Sequence, residues 1–235
     1  FAFATVIVRA NQVLCGLALT LMGTGLASTI GRNYSGMPAR ASFEGVSIRL
    51  LDQIPILGRA LFSQNILVYL IYIILPIGLS YLMFYTRHGL NLRAVGENPA
   101  AADAAGIPVI LIRFTYVTAG AALAAGAGAY LTLAFVPSWS DGVVAGRGWI
   151  AVALVIFAGY RPVAAALSGL LFGLITALGF VGQARGWPVA SALLSMLPYL
   201  GTMAFIIVPV LAWHRMRRVL AAPAALAIPY YRDMR

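Results

Sequence analysis

The strongest constraint on this chain is a series of apolar runs, each about as long as a bilayer is thick. Residues 13–30, 66–85, 107–133, 163–181 and 193–213 hold few or no charges. A helix needs roughly 20 apolar residues to cross the hydrocarbon core. Inside that core every backbone N–H and C=O must find an internal partner, which leaves helices and closed barrels. The runs are continuously apolar rather than alternating, and this disfavours a barrel. The expected fold class is all-α, a polytopic transmembrane helical bundle. Composition agrees, since 62% of residues are hydrophobic and 9% charged, outside the usual range of soluble domains.

Between and around the runs the chain has distinct punctuation. Residues 1–8 read as the tail of a span, so the chain is expected to lack its true N-terminus and earlier spans. No charged n-region precedes the apolar start, so a signal peptide is not indicated. Arg9, Asn11 and Gln12 interrupt before the first full run. Residues 31–65 mix charge with apolar patches and read as a connection with surface-lying structure. Pro76 is a tolerated kink. Small residues dominate 120–129, and Gly169 and Gly173 form a small-xxx-small face, both suited to close helix packing in lipid. Residues 137–148 read as a loop, with Trp139 and Trp149 at the interface. The run 149–159 is too short to cross and reads as a half-length helix or broken span. His214-Arg215-Met216-Arg217-Arg218 stops transfer. A transmembrane domain over 1–218 and a short tail over 219–235, with no fold assigned, follow.

The formal net charge is +10, and all sixteen basic residues are Arg. With no Lys, the chain can build neither a P-loop nor a lysine Schiff base. No basic stripe with interleaved aromatics suggests nucleic-acid binding. A lone Cys15 excludes an internal disulfide. His88 and His214 each stand alone, so no metal site is expected, and no catalytic triad is readable. Between residues 107 and 213 the only acid is Asp141. Intramembrane carboxylates are the usual proton and sodium relays, so their absence there argues against a proton-coupled secondary transporter. Basic residues in short loops set orientation. Arg9, Arg87, Arg93, Arg113, Arg161, Arg215, Arg217 and Arg218 share one face, which is therefore assigned to the cytoplasm, with Arg113 snorkelling to the interface.

That cytoplasmic face carries a polar island from Gly89 to Gly106. A short helix over 99–105 sits inside it with its own caps. Asn98 is a good N-cap, and Pro99 fits the first helical position. Gly106 stops the helix and Pro108 blocks continuation. A helix this short is marginal alone and needs a surface to lie on.

Gly89-Leu-Asn-Leu-Arg-Ala-Val-Gly-Glu-Asn-Pro-Ala-Ala-Ala-Asp-Ala-Ala-Gly-Ile107 resembles the cytoplasmic coupling region of bacterial ABC importer permeases. The closest group is the nucleoside and simple-sugar class, related to the ribose and branched-chain amino-acid permeases. Asn11-Gln12-Val13, Ile54-Pro55-Ile56-Leu57-Gly58, Ala145-Gly146-Arg147-Gly148-Trp149-Ile150-Ala151 and Met196-Leu197-Pro198-Tyr199-Leu200 are similar to the same family. One departure is Tyr160-Arg161-Pro162, where the family pattern has Gly-Arg or Gly-Lys and then Trp or Asn before Arg-Pro. The resemblance implies a bacterial inner-membrane permease subunit without its own ATPase motif. Its partners would be ABC ATPase subunits, a second permease subunit (the same or a homologous chain) and an extracytoplasmic binding protein, within membrane lipid. The chain itself would bind no cofactor; ATP and Mg would lie in the partner.

The resemblance gives Gly96, Glu97, Asn98, Pro99, Ala102, Asp103 and Gly106 the role of coupling to the ATPase, with Glu97 and Asp103 available to Arg on the partner. The alternative is an ordinary capped loop. Arg147 and Trp149 open the half-length helix and are candidates for the substrate path, since an indole stacks on a sugar or base; both types also serve as interfacial anchors. Asn11 and Gln12 are path candidates or helix caps. The expected function is ATP-driven import of a small polar solute, a nucleoside or simple sugar, by alternating access. A stand-alone secondary transporter and a non-transporting scaffold are the alternatives.

Overall fold

The computed structural model describes residues 1–37, 64–144, 146–212 and 222–231. The connection expected over 38–63, with its Ile54-Pro55-Ile56-Leu57-Gly58 patch, and the stop-transfer residues 214–218 lie outside them. Eight helices are labelled here: α1 (Gln12–Gly31), α2 (Ile66–Tyr85), α3 (Arg87–Glu97), α4 (Pro99–Ala104), α5 (Val109–Tyr130), α6 (Arg147–Phe157), α7 (Pro162–Ala184) and α8 (Ser191–Ala212). No named strand occurs among the described residues, so the all-α expectation holds.

Four helical stretches there are long and apolar enough to cross a membrane: Gln12–Tyr34, Ile66–Tyr85, Val109–Phe135 and Pro162–Ala184. They match the runs 13–30, 66–85, 107–133 and 163–181 to within a few residues, while the run 193–213 falls on the helix α8, which is not among the four. Their apolar windows are only 0 to 11% buried within the chain, so the apolar sides face outward, as lipid-facing sides do. The run 149–159 is the expected half-length helix, α6, although it starts two residues earlier, at Arg147. In α2 the helix widens to π geometry over Leu70–Ile74, just before Pro76. Proline lacks an N–H and disturbs the preceding turn, and a π-bulge is one way a helix absorbs that.

The contacts divide the chain into two compact units. The first holds Phe1–Ile74, Leu82–Ala145 and Pro223–Arg235. Here the turn Phe3–Ile7 packs on α5. The far end of α1 is clasped by the loop after α5. The Ser28 hydroxyl donates to the Asp141 carboxylate at 2.6 Å. Gly36 N–H donates to the Trp139 carbonyl at 3.2 Å, where Ser35 and Trp139 form an isolated parallel bridge. The Trp139 ring fills the space where a Cβ on residue 31 would stand. Only glycine fits there.

The second unit holds Leu75–Tyr81 and Gly146–Ala222, with α6, α7 and α8 packed on one another. Ser168 on α7 is buried and donates to the Ala165 carbonyl at 2.9 Å, with the Leu154 carbonyl of α6 at 3.4 Å. The close approach of α7 and α8 falls at Gly179, where an added Cβ would lie 3.0 Å from the Leu194 carbonyl oxygen. Gly173, half of the expected small-residue face, has nothing within 4 Å among the described residues, and neither have Gly120, Gly126 and Gly128. Small residues at helical spacing identify a possible contact face. They do not identify which face another helix meets.

Candidate functional site

The polar island is an elbow of two helices, more ordered than its sequence announces. Thr86 leaves the α-helical region, with φ −114 and ψ 156. Its hydroxyl donates to the Leu82 carbonyl at 2.6 Å and accepts from Gly89 N–H at 3.1 Å. That caps α3, an eleven-residue helix whose pattern the two glycines and the mixed polarity of Arg87–Glu97 obscure. The signal that could have found it is Thr86 as N-cap, followed by Leu90, Ala94 and Val95 at helical spacing.

At Asn98 the chain extends for one residue, and α4 begins with the expected chemistry. Asn98 Oδ1 accepts from Ala101 N–H at 3.0 Å, and Pro99 takes the first helical position. The helix ends at Ala104 rather than Ala105. Gly106 has φ +82, a left-handed conformation that glycine adopts without steric cost. The surface that this short helix needs is the protein itself. Val95 of α3, Ala102 of α4 and Val109 of α5 are all buried and form one cluster, joined by Ala94, Ile107, Ile112 and Tyr230.

The predicted site residues of the elbow therefore divide into two groups. Ala102 faces inward and fixes α4 to α3 and α5. Glu97, Asn98 and Gly106 are exposed, while Gly96, Pro99 and Asp103 are half-buried. A carboxylate and a capping amide thus stand at the outer corner of a braced elbow, available to a partner surface. Arg93, also exposed, lies over the Phe84 ring with its guanidinium carbon 5.2 Å from the centroid.

The tail, to which the sequence assigns no fold, adds a third component. Ala225 N–H donates to the Gly96 carbonyl at 2.9 Å. Arg113 Nη1 of α5 donates to the Ile228 carbonyl at 2.7 Å, and the guanidinium lies 6.0 Å from the Tyr230 ring centroid. Arg113 thus has a protein partner where snorkelling to the interface was expected. Tyr231 receives Arg9 over its ring at 5.1 Å.

The remaining predicted residues lie on other elements. Asn11 caps α1, with Oδ1 accepting from Val13 N–H at 3.0 Å and Leu14 N–H at 3.1 Å. Gln12 is half-buried and lines a cleft of about 230 Å³ with Thr5, Arg113, Val117 and Tyr230. Arg147 and Trp149 lie in the second unit, on the first turn of α6 behind the left-handed N-cap Gly146. Both are exposed, Trp149 to 79%.

The family model for the branched-chain amino acid transport system permease component matches residues 1–216. A putative glucose ABC transporter permease protein, TsgC13 of Haloferax volcanii, is 36% identical over 99% of this chain and 76% of its own length. The nucleoside ABC transporter permease protein NupC of Lactococcus lactis is 37% identical over 86% of this chain and 65% of its own. The guanosine ABC transporter permease protein NupQ of Bacillus subtilis is 27% identical over 100% of this chain and 73% of its own. No solved structure matches the chain.

Proposed function

Because the chain belongs to the branched-chain amino acid transport permease family, and so is a multi-pass ABC transporter permease subunit of the cell membrane, we propose that it carries a nucleoside or simple sugar inward by alternating access, driven by a separate ATPase. The substrate class rests on relatives named for glucose, nucleosides and guanosine. ATP and Mg belong to the ATPase, and an extracytoplasmic binding protein delivers the solute. A second permease, identical or homologous, completes the path.

The observation that carries this reading is the braced elbow. Its corner presents Glu97 and Asn98 outward, while Ala102 is locked among Val95 and Val109. A short helix with one face fixed to its own protein and the other exposed is suited to insertion in a cleft of a moving partner. Closure of ATPase subunits would then be transmitted through Gly96, Glu97, Asn98, Pro99, Ala102, Asp103 and Gly106 to the spans on either side. In the second unit, Arg147 and Trp149 open a half-length helix. Broken helices at membrane depth line cavities or are covered by protein, which supports a role for this pair in the solute path.

Purification of the full-length tagged protein in mild detergent tests the reading. A stoichiometric cytoplasmic ABC ATPase is expected to co-purify, and the reconstituted complex is expected to take up guanosine or glucose at the expense of ATP. Purification of a stable protein without an ATPase, with uptake following an ion gradient, overturns it in favour of secondary transport.

A further inference from the structure

Three breaks interrupt the backbone between α2 and α5, one on either side of the elbow and one within it. Thr86 is extended between α2 and α3, Asn98 is extended between α3 and α4, and Gly106 is left-handed before α5. Each break interrupts the hydrogen-bonded helix, and so interrupts the stiffest mechanical connection available. A push received by α4 through these joints alone would be absorbed as changes in φ and ψ.

Residues 223–231 bridge the second and third of those breaks. It binds α3 through Ala225 N–H to the Gly96 carbonyl. It binds α5 through the Arg113 guanidinium, which donates to Ile228 and sits against the Tyr230 ring. Tyr230 also packs on the Val95–Ala102–Val109 cluster, so it touches the packing of all three helices at once. The segment is shaped to do this by its own turn, with Leu226 N–H donating to Pro223 O at 2.9 Å and Ile228 N–H to Ala225 O at 3.3 Å.

We propose that residues 223–231 are a strap that makes α3, α4 and the start of α5 one rigid body, with Arg113 and Tyr230 as its positioning residues, so that motion received at the elbow reaches α5 undiminished. The proposal rests on the coupling role of the elbow given above. It predicts that the strap stays seated throughout the ATP cycle, unlike a latch that must open.

The test uses the full transporter, with Cys15→Ala as background. Gly96→Cys and Ala225→Cys place a thiol on each side of the strap contact. Among the described residues a Cβ at residue 96 meets only Pro223 Cβ, at 3.5 Å, so the substitution fits. Cross-linking by a short bismaleimide is expected to be equally efficient without nucleotide, with ATP and after vanadate trapping. A yield that falls when nucleotide binds overturns the strap. In a second arm, maleimide labelling at Val117→Cys on α5 reports movement of that helix. ATP is expected to change the labelling rate in the parent, and Tyr230→Ala or Arg113→Gln to reduce that change about fivefold or more, the lower end of ordinary coupling. Tyr230→Phe and Arg113→Lys, which keep the ring and the charged donor, are expected to restore it. Bound ATPase is measured in each variant. If Tyr230→Ala and Arg113→Gln keep both their ATPase and the full ATP-dependent change, the strap is refuted. If the parent itself binds no ATPase or shows no change, the coupling role falls, and the strap with it.

Discussion

The Ser28 hydroxyl and the Asp141 carboxylate, 113 residues apart in sequence, meet at 2.6 Å. The contact joins the far end of α1 to the loop after α5. A charged acceptor strengthens a hydrogen bond, but this pair is exposed, so its net contribution is on the order of 1 kcal/mol. Ser28→Ala and Asp141→Ala should each lower stability by about that much, and the double variant by little more than one of them. Thermal unfolding in a single detergent measures the cycle; simple additivity would show that the contact is not formed.

Gly31 gives a sharper test of the same clasp. The Trp139 ring occupies the place of any Cβ at residue 31. Gly31→Val must displace the indole, at a cost of about 1–3 kcal/mol typical of overpacking. Quenching of tryptophan emission by acrylamide should rise in this variant. In a background where the other tryptophans are phenylalanine, unchanged quenching would contradict the packing.

At the elbow, Asn98→Ala removes the acceptor for Ala101 N–H. Loss of such a cap costs about 1 kcal/mol. Because α4 is six residues long, the loss should appear as local fraying. Hydrogen exchange at the first amides of α4 is expected to accelerate roughly fivefold, the kinetic equivalent of that free energy when opening is local. Asn98→Asp, which keeps the acceptor, should exchange like the parent.

Glu97 is exposed at the outer corner of the elbow and has no part in the buried cluster. Glu97→Arg is therefore expected to leave helicity and melting temperature unchanged while weakening co-purification of the ATPase or uncoupling its hydrolysis from uptake. Circular dichroism and the yield of bound ATPase separate the two effects. Normal uptake in this variant would remove Glu97 from the coupling surface.

The parts of this protein that were legible in its sequence are those written locally. Apolar runs declare spans by length alone, and Asn98-Pro99 with Gly106 declares a capped helix, which ends one residue earlier than the sequence indicates. The half-length helix after the Gly146 loop was legible for the same reason. Contacts between distant segments were not. Nothing near Ala225 indicates that its amide reaches Gly96, and nothing near Arg113 indicates that the Ile228 carbonyl awaits it. The small residues of α5 and α7 show the converse. Their spacing permits close packing, but the meeting point at Gly179 depends on where Leu194 lies, which no periodicity in α7 encodes.

The apolar windows of the four spanning stretches are at most 11% buried by their own chain. Most of the free energy that holds these helices in place is therefore a property of what surrounds them. Acyl chains of the right length and lateral pressure act as the missing walls of the fold. Changing amphiphile chain length amounts to a many-site substitution made without touching the gene, and stability should peak where the hydrocarbon thickness equals the length of these stretches.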